Sequence, residues 1–378
     1  MTEAILLFGD SRRNPTIMWR TGFLAPDPVV YLEVDGTGTL LVNSMELGRA
    51  RKEAQVDTVR SYEEFGYTAH YREAGERHAY AGMVVAALAE KQVDTVRVQP
   101  EFPVALARAI EAGDVEVVAD KPLFETERRQ KREDEQAAIQ QTQAAAQAGL
   151  TAARELLRDA EVRNGMLYHG GAPLTSAAVK EAIEVVLLQR GCATPEGTIV
   201  AGGRGAADPH ASDTGHLAAG EAVVVDIFPQ HKQTLYYGDI TRTLVAGEPS
   251  PEWLRMYDAV KAAHAAALAE IRAGANGRDA HLAVCRTLYD AGFSTLVEGF
   301  KREGVPAMIH GTGHGVGLEI HEAPRVSDIN LELLAGDVVT IEPGLYSPEA
   351  GAVRLEDTVV VTNDGCRNLT DYPMEWKP

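Results

Sequence analysis

Three histidines lie close together in the segment His310-Gly-Thr-Gly-His314-Gly-Val-Gly-Leu-Glu-Ile-His321, where glycines separate them. Glycine removes side-chain bulk and permits backbone angles that other residues resist. The spacing does not match the zinc motif H-E-x-x-H, because the glutamate is missing and the glycines disfavour a helix. It does not match the dinucleotide fingerprint G-x-G-x-x-G either, because Val316 and Leu318 stand where its last glycine would be. The segment alone leaves metal or acid–base chemistry and a structural turn open as alternatives.

Two carboxylates lie in or next to neighbouring strand-like runs upstream of this segment. Asp226 interrupts the apolar run 222–228, and Asp239 follows the next turn. A hairpin centred between residues 231 and 232 places Asp226 opposite residue 237 and diagonally next to Asp239. An unpaired buried aspartate is costly, so a partner for Asp226 is expected.

A second acidic pair is predicted downstream. The runs 337–342 and 352–362 read as strands, and a loop centred near residue 349 sets Glu342 opposite Glu356. Four carboxylates cannot crowd together in ionised form unless cations neutralise them, and two divalent ions can do so while sharing carboxylates. We therefore favour a metal site beside the histidines over four separate salt bridges.

Composition narrows the class of protein. The chain has 378 residues, which predicts two domains, and its formal net charge of -19 argues against nucleic acid or an anionic membrane as the main partner. The three cysteines, Cys192, Cys285 and Cys366, are widely spaced and indicate neither a disulfide framework nor a thiolate zinc site. With no signal-peptide pattern and no apolar run of about 20 residues, we expect a soluble cytoplasmic protein.

Alternating short strands and helices predict a small α/β domain over residues 1–125, in which His70 and His78 are interpreted as solvent-exposed. A run rich in Glu, Arg, Gln and Ala predicts one long helix over 125–160 at the start of a second domain. His264 and His281 are interpreted as structural or exposed residues of later helices. The other helices predicted for the second domain cover residues 176–190, 251–272 and 279–291.

The chain resembles the pita-bread metallopeptidases, specifically the two-domain Xaa-Pro aminopeptidase and prolidase branch. The resemblance runs from Thr198 to Thr362, and the upstream helices continue it to about residue 125. It rests on Asp-Pro-His210, Val-Asp226-Ile, Gly-Asp239-Ile-Thr-Arg-Thr, the histidine segment, Thr-Ile-Glu342-Pro-Gly and Arg354-Leu-Glu356-Asp. It implies an α/β (α+β) protein with an N-terminal creatinase-like domain, 1–125. A pita-bread domain, 126–378, would follow, with a curved antiparallel sheet flanked by helices.

The resemblance also implies a role for each matching residue. Two divalent metal ions, Mn, Co or Zn with Mn favoured, would share Asp239 and Glu356. The implied metal ligands are Asp226, Asp239, His314, Glu342 and Glu356. The implied catalytic residues are His210, His310, His321, Glu342 and Arg354.

The expected activity is hydrolysis of Xaa-Pro bonds in short peptides, with Xaa-Pro aminopeptidase first and Xaa-Pro dipeptidase or cleavage at the other chain end as alternatives. The alternatives of another kind are an inactive peptide-binding module and a creatinase-like metal-independent hydrolase, both expected to lack ligands that are present here. A methionine aminopeptidase fits poorly because of the N-terminal domain. A homodimer is also implied.

The loops around His210 differ from the commoner prolidase pattern, so the chain-end preference stays open. For Arg204 and His216 we favour a surface role over recognition of a terminal carboxylate.

Overall fold

The computed structural model describes residues 2–121, 123–211 and 214–378. The chain divides into two compact units, Met1–Arg128 and Arg129–Pro378. The boundary predicted from the sequence, at residue 125, lies three residues before this division.

The first unit is built on a six-stranded sheet with the strand order β4-β3-β2-β1-β5-β6. Successive residues of a strand point to opposite faces of a sheet. Leu6 therefore packs into one apolar core and Leu7 into another. The elements of this unit are β1 (Glu3–Gly9), α1 (Pro15–Thr21), β2 (Val29–Val34), β3 (Thr37–Val42), α2 (Leu47–Glu53), β4 (Thr58–Ser61), α3 (Tyr67–Ala74), α4 (Glu76–Glu90), β5 (Thr95–Val98), α5 (Val104–Glu111) and β6 (Glu116–Ala119).

Apolar runs over residues 29–34, 39–42, 93–98 and 115–118 predict β2, β3, β5 and β6, whereas sequence patterning missed four elements, β1, α1, β4 and α3. Helix α3 shows why, because none of its residues is buried. A helix without a buried face has no apolar periodicity that a pattern can detect.

Among the described residues, the second unit contains four long helices and several small sheets, and one short helix precedes them across the division between the units. Its elements are α6 (Glu125–Arg129), which spans the boundary, α7 (Glu133–Arg158), β7 (Glu161–Arg163), β8 (Met166–His169), β9 (Ala172–Pro173), α8 (Ser176–Gln189), β10 (Cys192–Ala193), β11 (Ile199–Gly202), β12 (Ala222–Ile227), β13 (Gln230–His231), β14 (Ile240–Val245), α9 (Pro251–Glu270), α10 (Gly277–Asp290), β15 (Ser294–Thr295), β16 (Ala307–Met308), β17 (Gly313–Gly315), β18 (Glu322–Val326), β19 (Val338–Ile341), β20 (Gly344–Ser347), β21 (Gly351–Arg354), β22 (Asp357–Val361) and β23 (Cys366–Asn368).

Three of these sheets hold the residues of interest, with the orders β11-β12-β14, β15-β16-β20-β21 and β18-β17-β19-β22-β23. Helices α7 and α8 share an apolar core with β12 and β14, and α9 and α10 share another with β19 to β22. Strands β12, β14, β19 and β22 are buried along their whole length. This burial explains the mainly apolar sequences of β12 and β19, whereas β14 also buries Thr241, Arg242 and Thr243.

The prediction of a single helix over residues 125–160 is wrong, because the helix is interrupted between the end of α6 and the start of α7. Two basic side chains at the break are buried against acids of the same unit. The Arg129 Nη2 atom lies 2.7 Å from Asp337 Oδ2, and the Lys131 ammonium donates to Glu322. A buried charge needs a partner, and these two ion pairs hold residues 129 and 131 in place at the interruption. Sequence patterning alone predicted a continuous helix there.

The first predicted hairpin register is also wrong, and the second is confirmed. Asp226 pairs with Thr241 instead of residue 237, because the intervening chain forms β13 and pairs with β10. Asp239 therefore lies just before β14, near the end of β12 that carries Asp226. Downstream, Gly344 pairs with Arg354 and Ile341 pairs with Asp357, which is the register that sets Glu342 opposite Glu356.

None of the helices formed by the described residues combines the length and the apolar character that a membrane crossing needs.

Candidate metal centre

Five acidic and histidine side chains come from strand ends and strand junctions of the second unit. Asp239, His314 and Glu356 each offer one ligand atom, and these atoms all lie within 4.8 Å of one another. Glu342 joins them, because its Oε1 atom lies 3.3 Å from His314 Nε2. Asp239, His314 and Glu356 are buried, which places the cluster inside the unit.

Asp226 lies close enough for its charge to act on Asp239, and a basic side chain holds it. Arg354 Nη2 donates to Asp226 Oδ2 over 2.6 Å. The other oxygen, Asp226 Oδ1, is buried without a hydrogen-bond partner among the described residues, and so is Asp239 Oδ1. Buried carboxylate oxygens without donors are costly, and bound cations are a usual partner for them.

Burial and mutual repulsion act together on the carboxyl groups. The pKa values of Asp239 and Glu356 are raised well above the ordinary range by desolvation and by the charges of neighbouring acids. Desolvation, with a contribution from the charge of Asp226, raises the pKa of Glu342 to about 8, although Arg354 opposes the shift. Where no cation is bound, these shifts favour the protonated form of the carboxyl groups.

The tautomer of His314 follows from its hydrogen bond. The ring Nδ1 lies 3.2 Å from the carbonyl oxygen of Gly315, which can only accept, so Nδ1 carries the proton. The Nε2 lone pair then faces Asp239 Oδ2, at 3.7 Å, as well as Glu342. Burial lowers the pKa of His314 to about 3, so the ring is neutral. A lone pair facing carboxylate oxygens is repulsive unless a proton or a cation lies between them. The donor set of one imidazole and several carboxylates fits divalent metal ions.

The glycines beside His314 are required by close packing. A Cβ atom at Gly313 would collide with the carbonyl oxygen of Thr340, and one at Gly315 would collide with that of Ala323. Strand β17 can pack this closely between β18 and β19 only because neither glycine has a side chain. The glycine spacing thus brings the imidazole into the cluster.

Two polar side chains that the sequence analysis missed hold the acids in place. Gln143 is fully buried on α7, accepts from the backbone N–H of Asp239 over 2.7 Å and donates to its carbonyl over 2.8 Å. Thr241 Oγ1 donates to Glu356 Oε2 over 2.7 Å. An amide inside the apolar face of α7 was the available sequence signal for Gln143.

Tyr346 is a third residue that the sequence analysis missed. Arg354 Nη1 donates to its hydroxyl oxygen over 3.0 Å, and the hydroxyl lies 2.8 Å from His310 Nε2. Because His310 Nδ1 donates to the Gly311 carbonyl over 2.7 Å, the neutral ring accepts the tyrosine proton at Nε2. Burial lowers the pKa of His310 to about 4, in agreement with this neutral form. Both ring nitrogens of His310 are therefore engaged by protein groups.

His321 and His210 are more open to solvent. The His321 ring packs edge-on against His314 with 4.3 Å between ring centroids, which places it beside the cluster. Partial burial lowers the pKa of His321. His210 lies in an exposed loop, where the carbonyl of the preceding Pro209 accepts from Arg354 Nη1 over 3.4 Å. The loop that carries His210 is thereby attached to the same arginine as Asp226.

Two further residues of this region have different surroundings. His216 donates from Nε2 to the Leu167 carbonyl over 2.7 Å, and its ring packs against Tyr168 at 5.1 Å. These contacts give His216 a structural role. Arg204 is exposed, in agreement with the surface role expected for it.

His281 supports the histidine segment from α10. Its Nδ1 atom lies 2.8 Å from Thr312 Oγ1, and the Thr312 carbonyl accepts from the backbone N–H of Glu342 over 2.8 Å. His281 is buried, so the structural interpretation of this residue is confirmed.

Comparison with known proteins identifies a family. A family model described as metallopeptidase family M24 matches residues 137–363. The Xaa-Pro dipeptidase of Pyrococcus furiosus is 35% identical over 201 residues, which cover 52% of this chain and 54% of that protein. An uncharacterized peptidase of Bacillus subtilis, YqhT, is 34% identical over 206 residues, 53% of this chain and 54% of that protein. The chain thus spans about half the length of the curated relatives it matches.

Solved structures match over nearly the whole chain. An X-Pro aminopeptidase from Thermotoga maritima has a TM-score of 0.81 at 23% identity and covers 100% of this chain and 98% of that one. The prolidase from Pyrococcus furiosus has a TM-score of 0.76 at 23% identity, with 98% and 96% covered. At this level of identity the likeness concerns the fold, and it confirms the two-domain pita-bread class predicted from the sequence.

The raised carboxyl pKa values predict a pH-dependent stability of the metal-free protein. A carboxyl group whose pKa is higher in the folded state stabilises the fold below its unfolded pKa, and this contribution is lost as pH rises through the folded value. For Glu342 this loss of stability extends from pH 4.5 to about pH 8. We expect the free energy of unfolding of the chelator-treated protein, measured with urea, to fall across this window, with a smaller fall in Glu342→Gln.

The matched control for this measurement is Glu349→Gln, because Glu349 is exposed on the next loop. The free energy of unfolding of this variant should change with pH as it does in the wild type. Saturating divalent metal should make the free energy of unfolding of the wild type less dependent on pH. Equal slopes in wild type and Glu342→Gln would contradict the assigned pKa.

Proposed function

The chain belongs to metallopeptidase family M24, and from this premise we propose that it hydrolyses Xaa-Pro bonds in short peptides with two divalent metal ions. The proposal is supported above all by the buried convergence of Asp239, His314 and Glu356. One buried oxygen of Asp239, and one of Asp226, has no hydrogen-bond partner among the described residues, which suits a bound cation. Cation-neutralised carboxylate clusters of this kind suit hydrolysis of amide bonds.

We assign Asp226, Asp239 and Glu356 to one ion, and Asp239, His314, Glu342 and Glu356 to the other. When bound, the ions would lower the pKa of water and polarise the scissile carbonyl. An oxygen-rich set with a single imidazole favours manganese among the candidates, although such a set also accepts cobalt and zinc. Arg354 keeps one oxygen of Asp226 occupied and leaves the other, Oδ1, for a cation.

Glu342 is the proposed proton carrier. Its carboxyl group is only partly buried, next to the neutral His314. A general base or acid works best when its pKa lies near the working pH, and the environment of Glu342 raises its pKa toward that range. As a carboxylate, Glu342 would accept a proton from water and pass it to the leaving amine.

The two remaining histidines of the segment receive different roles. His321 is open to solvent beside His314, so its ring can donate to the developing oxyanion. His310 is held by Tyr346 and by its own neighbouring carbonyl, and we assign it to positioning of the Arg354 and Tyr346 pair. His210 is proposed to contact substrate from its exposed loop.

The names of the curated relatives favour a dipeptidase over the aminopeptidase that the sequence analysis placed first. Several are called Xaa-Pro dipeptidase or probable dipeptidase. We therefore propose Xaa-Pro dipeptides as the preferred substrates, with longer Xaa-Pro peptides as the second candidate. The unusual loop around His210 is the segment from which a different chain-end preference would arise.

An inactive peptide-binding module is the alternative of another class. No implied ligand position is substituted in the sequence, which speaks against it. Assignment of residues 1–125 and 126–378 as N-terminal and catalytic domains is part of the proposal. The homodimer and the cytoplasmic location stay predictions.

Glu356→Gln should abolish measurable hydrolysis and reduce the number of bound metal ions, because a neutral amide cannot neutralise and bridge two cations. His314→Ala should do the same for one ion. Metal content after equilibrium dialysis is measured alongside the rate, and Mn²⁺ should restore the chelated wild type but neither variant. His169→Gln, an exposed histidine on β8, is the control and should behave as wild type. Full activity of Glu356→Gln would refute the metal assignment.

His321→Ala should keep its metal and lose turnover by roughly 10²-fold, the usual effect of removing an oxyanion donor. The reduction should lie mainly in kcat, because the donor acts on charge that develops in the transition state. Steady-state kinetics with a metal count separate this result from metal loss. A wild-type kcat would remove His321 from the mechanism.

The substrate class is tested by mass spectrometry of the products from Ala-Pro, Ala-Pro-Ala-Ala, Ala-Ala-Ala-Pro and a proline-free peptide. We expect cleavage of Ala-Pro and no cleavage of the proline-free peptide. Release of Ala from Ala-Pro-Ala-Ala would establish the aminopeptidase instead. Release of the terminal proline from Ala-Ala-Ala-Pro would show that the enzyme acts at the carboxyl end of the peptide. No cleavage with two metals bound would support the binding module.

A further inference from the structure

A second group of potential metal ligands lies in the first unit, on the helix pair α3 and α4. His70 and Glu73 are three residues apart on α3 and therefore share one face of that helix, and His78 comes from the first turn of α4. One ligand atom from each residue lies within 4.8 Å of the others. The short connection between the helices brings these residues together.

Packing holds the ring of His70 against α4. A Cβ atom at Gly82 would lie 2.6 Å from the Cδ2 atom of His70, so the ring lies directly on the bare backbone of that position. The His70 and His78 rings meet edge to face with 5.8 Å between centroids. Of the two rings, His70 is thus constrained by backbone contact.

The third residue of the group brings a negative charge to the imidazoles. Glu73 Oε2 lies 3.6 Å from His78 Nε2. Two imidazoles and one carboxylate form a typical zinc donor set, with water in the fourth position. Ligands about 2 Å from a tetrahedral zinc ion lie roughly 3.3 Å apart, so the present separations require only small side-chain adjustments.

We propose that His70, Glu73 and His78 bind a divalent transition-metal ion of the zinc class, separately from the carboxylate cluster around Asp239. Imidazole ligands favour Zn²⁺, Ni²⁺ and Cu²⁺, whereas carboxylate-rich sites accept Mn²⁺ and Mg²⁺. The two sites therefore differ in metal preference, although the carboxylate cluster also accepts zinc. The bound ion joins α3 to α4, and because it binds the folded state it stabilises this helix pair.

The site is tested by counting zinc ions bound to the full-length protein after equilibrium dialysis against micromolar free Zn²⁺. His78→Gln should bind one zinc ion fewer per chain than the wild type and should keep wild-type peptidase activity. The matched control, His169→Gln, removes an exposed histidine of the second unit and should bind as many ions as the wild type. The number of bound zinc ions is measured independently of hydrolysis, so this test remains valid even if the proposed peptidase activity is not found.

A local measurement distinguishes this site from zinc bound elsewhere. Zn²⁺ should slow amide hydrogen exchange in α3 and α4 of the wild type, and the effect should be absent in His78→Gln and reduced in Glu73→Gln. Mn²⁺ at the same concentration should leave exchange in these helices unchanged. Equal zinc counts in wild type and His78→Gln, or unchanged exchange with Zn²⁺, would overturn the proposal.

Discussion

Repulsion among carboxylates enclosed in apolar strands is the constraint on which the second unit depends. Asp239 and Glu356 are nearly inaccessible to solvent, and Asp226 and Asp239 each keep a buried oxygen without a donor. Such an arrangement would destabilise the fold if all the groups ionised without compensation. Protonation or bound divalent ions would relieve this repulsion. Stability and the proposed chemistry thus rest on the same charge balance.

The polar groups around the cluster fix its geometry and compensate only part of its charge. Gln143 brackets the backbone of Asp239 on both sides, and Thr241 donates to Glu356. Arg354 is the cation in direct contact with Asp226, and it occupies only one of the two oxygens. His281 holds Thr312, within the histidine segment. Neutral donors orient the acids without neutralising them, so the attraction for metal cations is preserved.

Neighbouring histidines of one glycine-rich segment acquire different properties from their partners. His314 turns its unprotonated Nε2 toward carboxylates, which is the orientation of a metal ligand. His310 turns the same atom toward a tyrosine hydroxyl, which satisfies it. In both rings a backbone carbonyl holds the proton on Nδ1, so the difference arises from what faces Nε2.

Local signals in the sequence were enough to predict the fold class, most of the longer helices and the four acids, because apolar periodicity and carboxylates within apolar runs can be recognised without tertiary structure. The sequence also set the register between Glu342 and Glu356, since one short loop joins their strands. Tertiary structure decided the Asp226 register, the break before α7 and the roles of Gln143 and Tyr346. These depend on pairing with distant segments, such as β10 with β13 and Lys131 with Glu322. Spacing along the chain carries no record of such partners, because burial and charge pairing are settled only when the sheets and helices pack.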